Sequence, residues 1–144
     1  MKKFLLVVML AAGMHSLFAQ VNPTVPGDSV PMSVNKAFLE KYPDVKGMAW
    51  HRTAQGYRAG FKSPDNMDQF ADYDSTGKMI SENLEMKKES LPASAIDYIS
   101  KNLPDQQYGK IYQVTKPDGL KNYVVNVGGK WLLFDAQGSF VPSK

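Results

Sequence analysis

Residues 61 positions apart in this chain repeat one another at the points where a backbone has to start, stop or turn. Ser29, Pro31, Ser33, Pro43, Asp44, Asp74 and Gly77 recur as Ser90, Pro92, Ser94, Pro104, Asp105, Asp135 and Gly138. Between these identities the match is one of type: Val30 with Leu91, Phe38 with Ile99, Tyr42 with Leu103, Trp50 with Ile111, and Tyr73 with Phe134. A repeated proline or glycine marks a backbone geometry. The spacing therefore predicts two tandem copies of one supersecondary unit, residues 29–86 and 90–141, longer than most solenoid repeats and only two in number.

Each copy reads as a helix followed by strands. Asp28-Ser29-Val30-Pro31 and Glu89-Ser90-Leu91-Pro92 predict helix starts, with a short polar cap and proline in the first turn. Val34, Phe38 and Tyr42, then Ala95, Ile99 and Leu103, follow at four-residue spacing, so each helix buries one stripe. Pro43 and Pro104 end them, because the residue before a proline avoids helical geometry. The period then shifts to two, with Tyr57, Ala59 and Phe61 in one copy and Tyr123, Val125 and Val127 in the other.

Turns at Lys116-Pro117-Asp118-Gly119 and Gly128-Gly129 are short, and connections this short join antiparallel strands. Phe70 to Asp74 and Trp131 to Asp135 predict a third strand in each copy. Lys78 to Met86 predicts a fourth in the first, matched only by Ser139 to Val141 in the second. The fold class is α+β: two copies of a helix plus a three- or four-stranded antiparallel sheet, the helix covering one face. The expected core is Tyr57, Ala59, Phe61, Tyr73, Tyr123, Val125, Val127 and Phe134, shared by both copies. The mixed-sign run Glu82 to Glu89 reads as a solvated edge and linker.

Ahead of the first copy, Lys2 and Lys3, the apolar run Phe4 to Ala12 and the small-residue exit Ser16 to Ala19 form an export signal, with cleavage expected near Ala19. The apolar run is short for a bilayer crossing, which takes about 20 residues. The mature chain is thus expected to have no transmembrane segment and to be periplasmic or secreted. Residues 20–28, with Pro23, Pro26 and Gly27, predict an irregular lead-in. Losing Lys2 and Lys3 lowers the formal charge from +3 to +1, and no basic stripe supports nucleic-acid binding.

The chain has no cysteine and, past the signal, one histidine, His51. Thiol or histidine metal centres and Cys/His nucleophilic catalysis lack their material, and no Gly-x-Ser-x-Gly elbow accompanies His51. Asp74 to Gly77 and Asp135 to Gly138 are too poor in ligands for a calcium loop and predict turns. The expectation is no enzyme, no cofactor and no metal. The side chains whose parity points away from the helices are His51, Arg58, Phe70, Tyr112 and Trp131. Exposed aromatic and guanidinium groups on a rigid sheet are what binding surfaces use, so these five form the candidate face for a protein or peptide partner. A small-molecule or ion carrier with its ligand between the copies is the alternative.

Val30-Pro31, Ala37-Phe38, Lys41-Tyr42-Pro43, Trp50, Tyr57, Phe61 and the Tyr73-Asp74-x-x-Gly77 strand end, repeated from Leu91-Pro92, resemble the PepSY-like family. These are exported bacterial proteins described as β-lactamase-inhibitor-like, PepSY-like domains and common in Bacteroidetes. The resemblance covers about Ser29 to Val141. It implies a tandem α/β repeat similar to β-lactamase inhibitory protein, in which paired sheets clasp a partner protein. It carries over no site residues, and the disulfides of that inhibitor have no counterpart here.

Overall fold

The computed structural model describes residues 23–143, so the export signal expected over residues 1–19 lies outside the described residues. Both helices begin just after their prolines: α1 spans Met32–Lys41 and α2 spans Ala93–Asn102. The cap differs from the expected one. Pro31 and Pro92 themselves occupy the cap, with φ of −53° and −55° and no side-chain cap hydrogen bond. Ser29 and Ser90 instead close 3₁₀ turns, Gly27–Ser29 and Lys88–Ser90. Proline's fixed φ and its free carbonyl explain this: Pro31 accepts from the Val34 and Asn35 N–H groups, and Pro92 from those of Ala95 and Ile96. Each helix closes on the residue before the next proline, the Tyr42 and Leu103 N–H groups reaching Phe38 and Ile99 at 2.8 Å.

The strands are β1 Thr24–Val25, β2 Met48–Arg52, β3 Gly56–Lys62, β4 Asp68–Asp74, β5 Met79–Glu85, β6 Tyr108–Thr115, β7 Lys121–Val127, β8 Lys130–Phe134 and β9 Phe140–Val141. Among the described residues they form one nine-stranded sheet in sequence order, every neighbouring pair antiparallel. At the two Asp-x-x-Gly turns, Asp74 accepts the Thr76 and Lys78 N–H groups and Asp135 accepts those of Gln137 and Ser139.

Gly77 and Gly138 have φ of 91° and 83°, and each turn presses on the start of a helix. A Cβ on Gly77 would stand 2.6 Å from the Ser33 carbonyl oxygen, and one on Gly138 would stand 2.3 Å from Ser94 Oγ. The repeated serine and glycine are thus two sides of one contact.

Three further expectations are corrected. Residues 23–28 are not an irregular lead-in, because Thr24 and Val25 pair with His51 and Trp50, and Val25 packs on the apolar core. Partial burial of that one valine and a short ladder hold the segment. The charged run from Glu82 is not at an edge: β5 is the fifth strand of nine and pairs with both β4 and β6. Its carboxylates find partners there, Glu82 beside Tyr42 and Lys41 and Glu85 beside Lys110. The core is not shared either.

Val34, Phe38, Trp50, Tyr57, Ala59, Phe61, Ala71 and Tyr73 cluster under α1, and Ala95, Ile99, Ile111, Val125, Val127 and Phe134 cluster under α2. One short helix covers only the strands beneath it, so a sheet this wide carries two cores side by side. Tyr123 is half-buried at the margin of the second. Among the described residues the sheet's edges, β1 and β9, are two residues each, which leaves little ladder for another chain to extend.

Candidate functional site

Alternation along the strands sets one residue under a helix and the next on the opposite, helix-free face. On β3, Tyr57, Ala59 and Phe61 join the core, which turns Arg58 and Gly60 outward; on β4, Ala71 and Tyr73 turn Phe70 and Asp72 outward. The same alternation turns out His51 beside Trp50, Tyr112 beside Ile111 and Trp131 beside Leu132. His51, Arg58, Phe70, Tyr112 and Trp131 therefore all lie on the helix-free face.

The three aromatic rings are brought together. Phe70 and Tyr112 meet edge to face at 5.7 Å between centroids, and Tyr112 and Trp131 lie 6.2 Å apart, tilted by 31°. They form a stripe that starts on β4, passes through β6 and ends on β8, crossing the junction between the two cores. Tyr112 in the middle is 6% exposed, and that burial raises its phenol pKa. Phe70 and Trp131 at the ends are half-buried and reachable. His51, half-buried on β2, lies at the far side of Gly60 from Phe70.

Arg58 is held differently. Its Nε and Nη2 donate to the two oxygens of Asp72 at 2.6 and 2.8 Å, and its guanidinium lies 5.3 Å from the centre of the Phe70 ring. Ser81 Oγ and Asn83 Nδ2 donate to the second Asp72 oxygen at 3.1 and 3.0 Å. All four residues are buried, although no helix covers them. They sit on three adjacent strands, β3, β4 and β5, bonded to one another. A bidentate, fully hydrogen-bonded pair is the arrangement under which burying two charges is tolerable. Arg58 thus contributes to the face by lying against the Phe70 ring while its guanidinium pairs with Asp72.

Asp72, Ser81 and Asn83 were not among the expected face residues. A signal for them existed in parity: Asp72 alternates with the core residues Ala71 and Tyr73, and Ser81 and Asn83 share one side of β5, so their polar groups can meet across adjacent strands. A second cluster lies at one end of the face. Asp68 accepts from Lys62 Nζ at 2.5 Å and from Lys110 Nζ at 3.0 Å, and Lys110 also reaches Glu85 at 2.5 Å. The Lys62 hydrogen bond, opposed by partial burial and aided by Lys110, holds the Asp68 carboxyl below the usual range, and Lys110 is correspondingly raised, mainly by Glu85. These contacts link β3, β4, β5 and β6.

Among the described residues there is no group of three or more His, Cys, Asp and Glu side chains placed to hold a metal ion, and no helix is long and apolar enough to cross a membrane. An open depression lies on the helix-free face over β2, β3 and β4. It belongs to the first half of the sheet and not to the junction, where the alternative reading would place a ligand.

No family model and no curated protein matches the sequence. Solved structures do. A proposed periplasmic protein of Bacteroides eggerthii superposes with a TM-score of 0.71 at 19% identity, over 80% of this chain and 88% of its own. A DUF2874 family protein of Bacteroides ovatus gives 0.69 at 18% identity, over 81% and 87%. A BLIP-like protein of Bacteroides fragilis gives 0.63 at 16% identity, over 83% and 86%. The fold is BLIP-like.

Proposed function

We propose that this chain is an exported, non-enzymatic binding module of the PepSY-like, β-lactamase-inhibitor-like kind, made of two tandem copies over residues 29–86 and 90–141. It grips a protein or peptide partner in the cell envelope through the helix-free face. The observation that carries this reading is the aromatic stripe Phe70–Tyr112–Trp131. Its ends are accessible, while its middle is anchored by burial and its first ring is braced by Arg58. Rigid aromatic groups with few rotamers to freeze give large contact area at low entropic cost, the property of binding hot spots.

Export is supported by the signal-like start of the sequence and by the periplasmic assignment given to a structural neighbour. A catalytic reading has little to stand on. His51 lies on the face beside Gly60 and Phe70, and the carboxylate at the face's centre, Asp72, is committed to Arg58, Ser81 and Asn83.

The test is capture of an envelope protein by the mature chain, repeated with Trp131→Asp and with Lys36→Asp on the helix side. Loss of a hot-spot aromatic costs at least about 2 kcal/mol, roughly a 30-fold drop in affinity. The same partner should vanish from the Trp131→Asp eluate and persist with Lys36→Asp. Equal recovery by both variants overturns the assignment of the binding face.

A further inference from the structure

Across β2, β3 and β4 the helix-free face carries its smallest side chains next to its first aromatic ring. Ala49 is paired with Gly60, and Gly60 with Phe70. Over them lies an open depression of about 340 Å³, with His51 and Phe70 at its sides and Lys62 and Asp68 at its rim. A Cβ added to Gly60 would come within 3.3 Å of the Phe70 ring and 3.8 Å of His51 Nε2. Gly60 thus leaves room for the Phe70 ring and His51 to close in from either side, and a larger residue there would press on the ring.

The other half of the sheet closes the corresponding space. Asn126 faces Trp131 as Gly60 faces Phe70, and its side chain stands 2.8 Å from where a Cβ on Gly109 would be. The depression is thus a product of what the first half leaves out.

Three properties define what would fit. The volume is at the low end for a binding pocket and the site is open to the face, which suits one large side chain presented by a macromolecule better than an enclosed metabolite. The floor is backbone and a methyl group, and the walls are rings, so the occupant is apolar and flat; aromatic pairs gain attraction beyond area burial. The rim charges are already matched, Lys62 with Asp68 and Asp68 with Lys110, so no charge on the occupant is called for.

We propose that the depression over Ala49 and Gly60 receives one uncharged aromatic side chain of a protein partner, stacked against Phe70 and His51. The inference rests on the helix-free face being the binding surface and adds where on it the selective contact is made.

The probe is N-acetyl-tryptophanamide, with N-acetyl-leucinamide as its aliphatic counterpart, titrated into the ¹⁵N-labelled chain. The tryptophan probe should give saturable amide shifts at Ala49, His51, Gly60 and Lys62, and bind roughly tenfold more tightly than the leucine probe. Ala49→Met, which fills the floor, should weaken it by a similar factor, and so should Phe70→Leu, each variant first shown to be folded by its own dispersed amide spectrum. Lys36→Asp, on the helix side, should leave probe affinity unchanged. Absent or non-saturable shifts at those amides, equal affinity for both probes, or no weakening in either floor or wall variant overturns the pocket. Partner capture that is lost in Trp131→Asp but unaffected in Ala49→Met likewise sinks the pocket while leaving the face intact. Saturable probe binding by a chain that captures no partner sinks the face reading alone.

Discussion

At one crossing of strands the first half of the sheet sets Arg58 against Asp72, and the second half sets Val124 against Leu133. The places correspond, since the neighbouring pairs are Tyr57 with Tyr73 and Tyr123 with Phe134. Under the helices the two halves solve one problem in one way, with a short helix stripe on a few alternating apolar residues. On the helix-free face they diverge, an ion pair with two extra donors in one and two aliphatic side chains in the other. The apolar crossing shows that this geometry does not need a buried charge. In the first half the guanidinium also lies against Phe70, so the ion pair ties the backbone of β3 and β4 to the position of a ring.

The largest test asks whether the halves stand on separate cores. Phe38→Ala should cost about 3–5 kcal/mol and Ile99→Ala about 2–5 kcal/mol in chemical denaturation. As the two residues belong to different clusters, the double variant should equal the sum within roughly 0.5 kcal/mol. A larger discrepancy would mean that the common sheet couples the cores. A three-state curve would mean that the halves unfold independently.

Next comes the crossing itself. Asp72→Ala leaves Arg58 buried without its carboxylate and should destabilise by about 3–5 kcal/mol. Transplanting the second half's solution, Arg58→Val with Asp72→Leu, should recover much of that loss but not exceed wild type. Asn83 and Ser81 would then have lost their common acceptor, at a cost of about 1–3 kcal/mol for a buried donor. A double variant no more stable than Asp72→Ala would refute the claim that the apolar crossing suffices.

A smaller effect concerns Tyr73, whose counterpart at the matching crossing is Phe134. Its hydroxyl is buried with no hydrogen-bond partner among the described residues. Burial, with the nearby Glu82 carboxylate, pushes its pKa up to about 12, and the same two causes raise Tyr42. A raised phenol pKa gives stability that is complete below the unfolded value near 10 and is lost as pH rises through the folded value. Stability should therefore fall above about pH 10, by up to about 1.4 kcal/mol per pH unit for each suppressed tyrosine. Tyr73→Phe should be neutral or stabilising by about 1 kcal/mol at neutral pH and should flatten this decline. An unchanged alkaline limb would exclude Tyr73 as its source.

The smallest effect is at the junction. Lys110→Ala removes the bridge from β6 to Asp68 and Glu85, and with a half-exposed lysine it should cost under about 1 kcal/mol, shrinking further in 1 M salt. A loss that salt does not reduce would point to packing by the lysine stem.

Much of this was legible in the sequence because it is local. Pro31 and Pro92, Pro43 and Pro104, and the Asp-x-x-Gly turns govern their own neighbours, so helix bounds and hairpins follow from spacing. Parity is local too, which is why the outward direction of His51, Arg58, Phe70, Tyr112 and Trp131 could be read from Trp50, Tyr57 and Ile111. What was not legible depends on distant partners. Thr24-Val25 becomes a strand only because β2 offers an edge, and the burial of Arg58 and Tyr112 goes with partners on other strands, Asp72 and Phe70 for the one and Phe70 and Trp131 for the other.

The sequence by itself determined two helix-and-strand runs, their turns and the side of the strand each residue occupies, since these depend on φ, ψ and periods of 3.6 and 2. Tertiary structure decided that β5 and β6 join to make one sheet of nine, that Asp72 gathers Arg58, Ser81 and Asn83, and that Phe70, Tyr112 and Trp131 line up. The physical reason is distance along the chain. The β5–β6 ladder closes across α2, and no local signal names the partner of a strand whose neighbour lies a helix away.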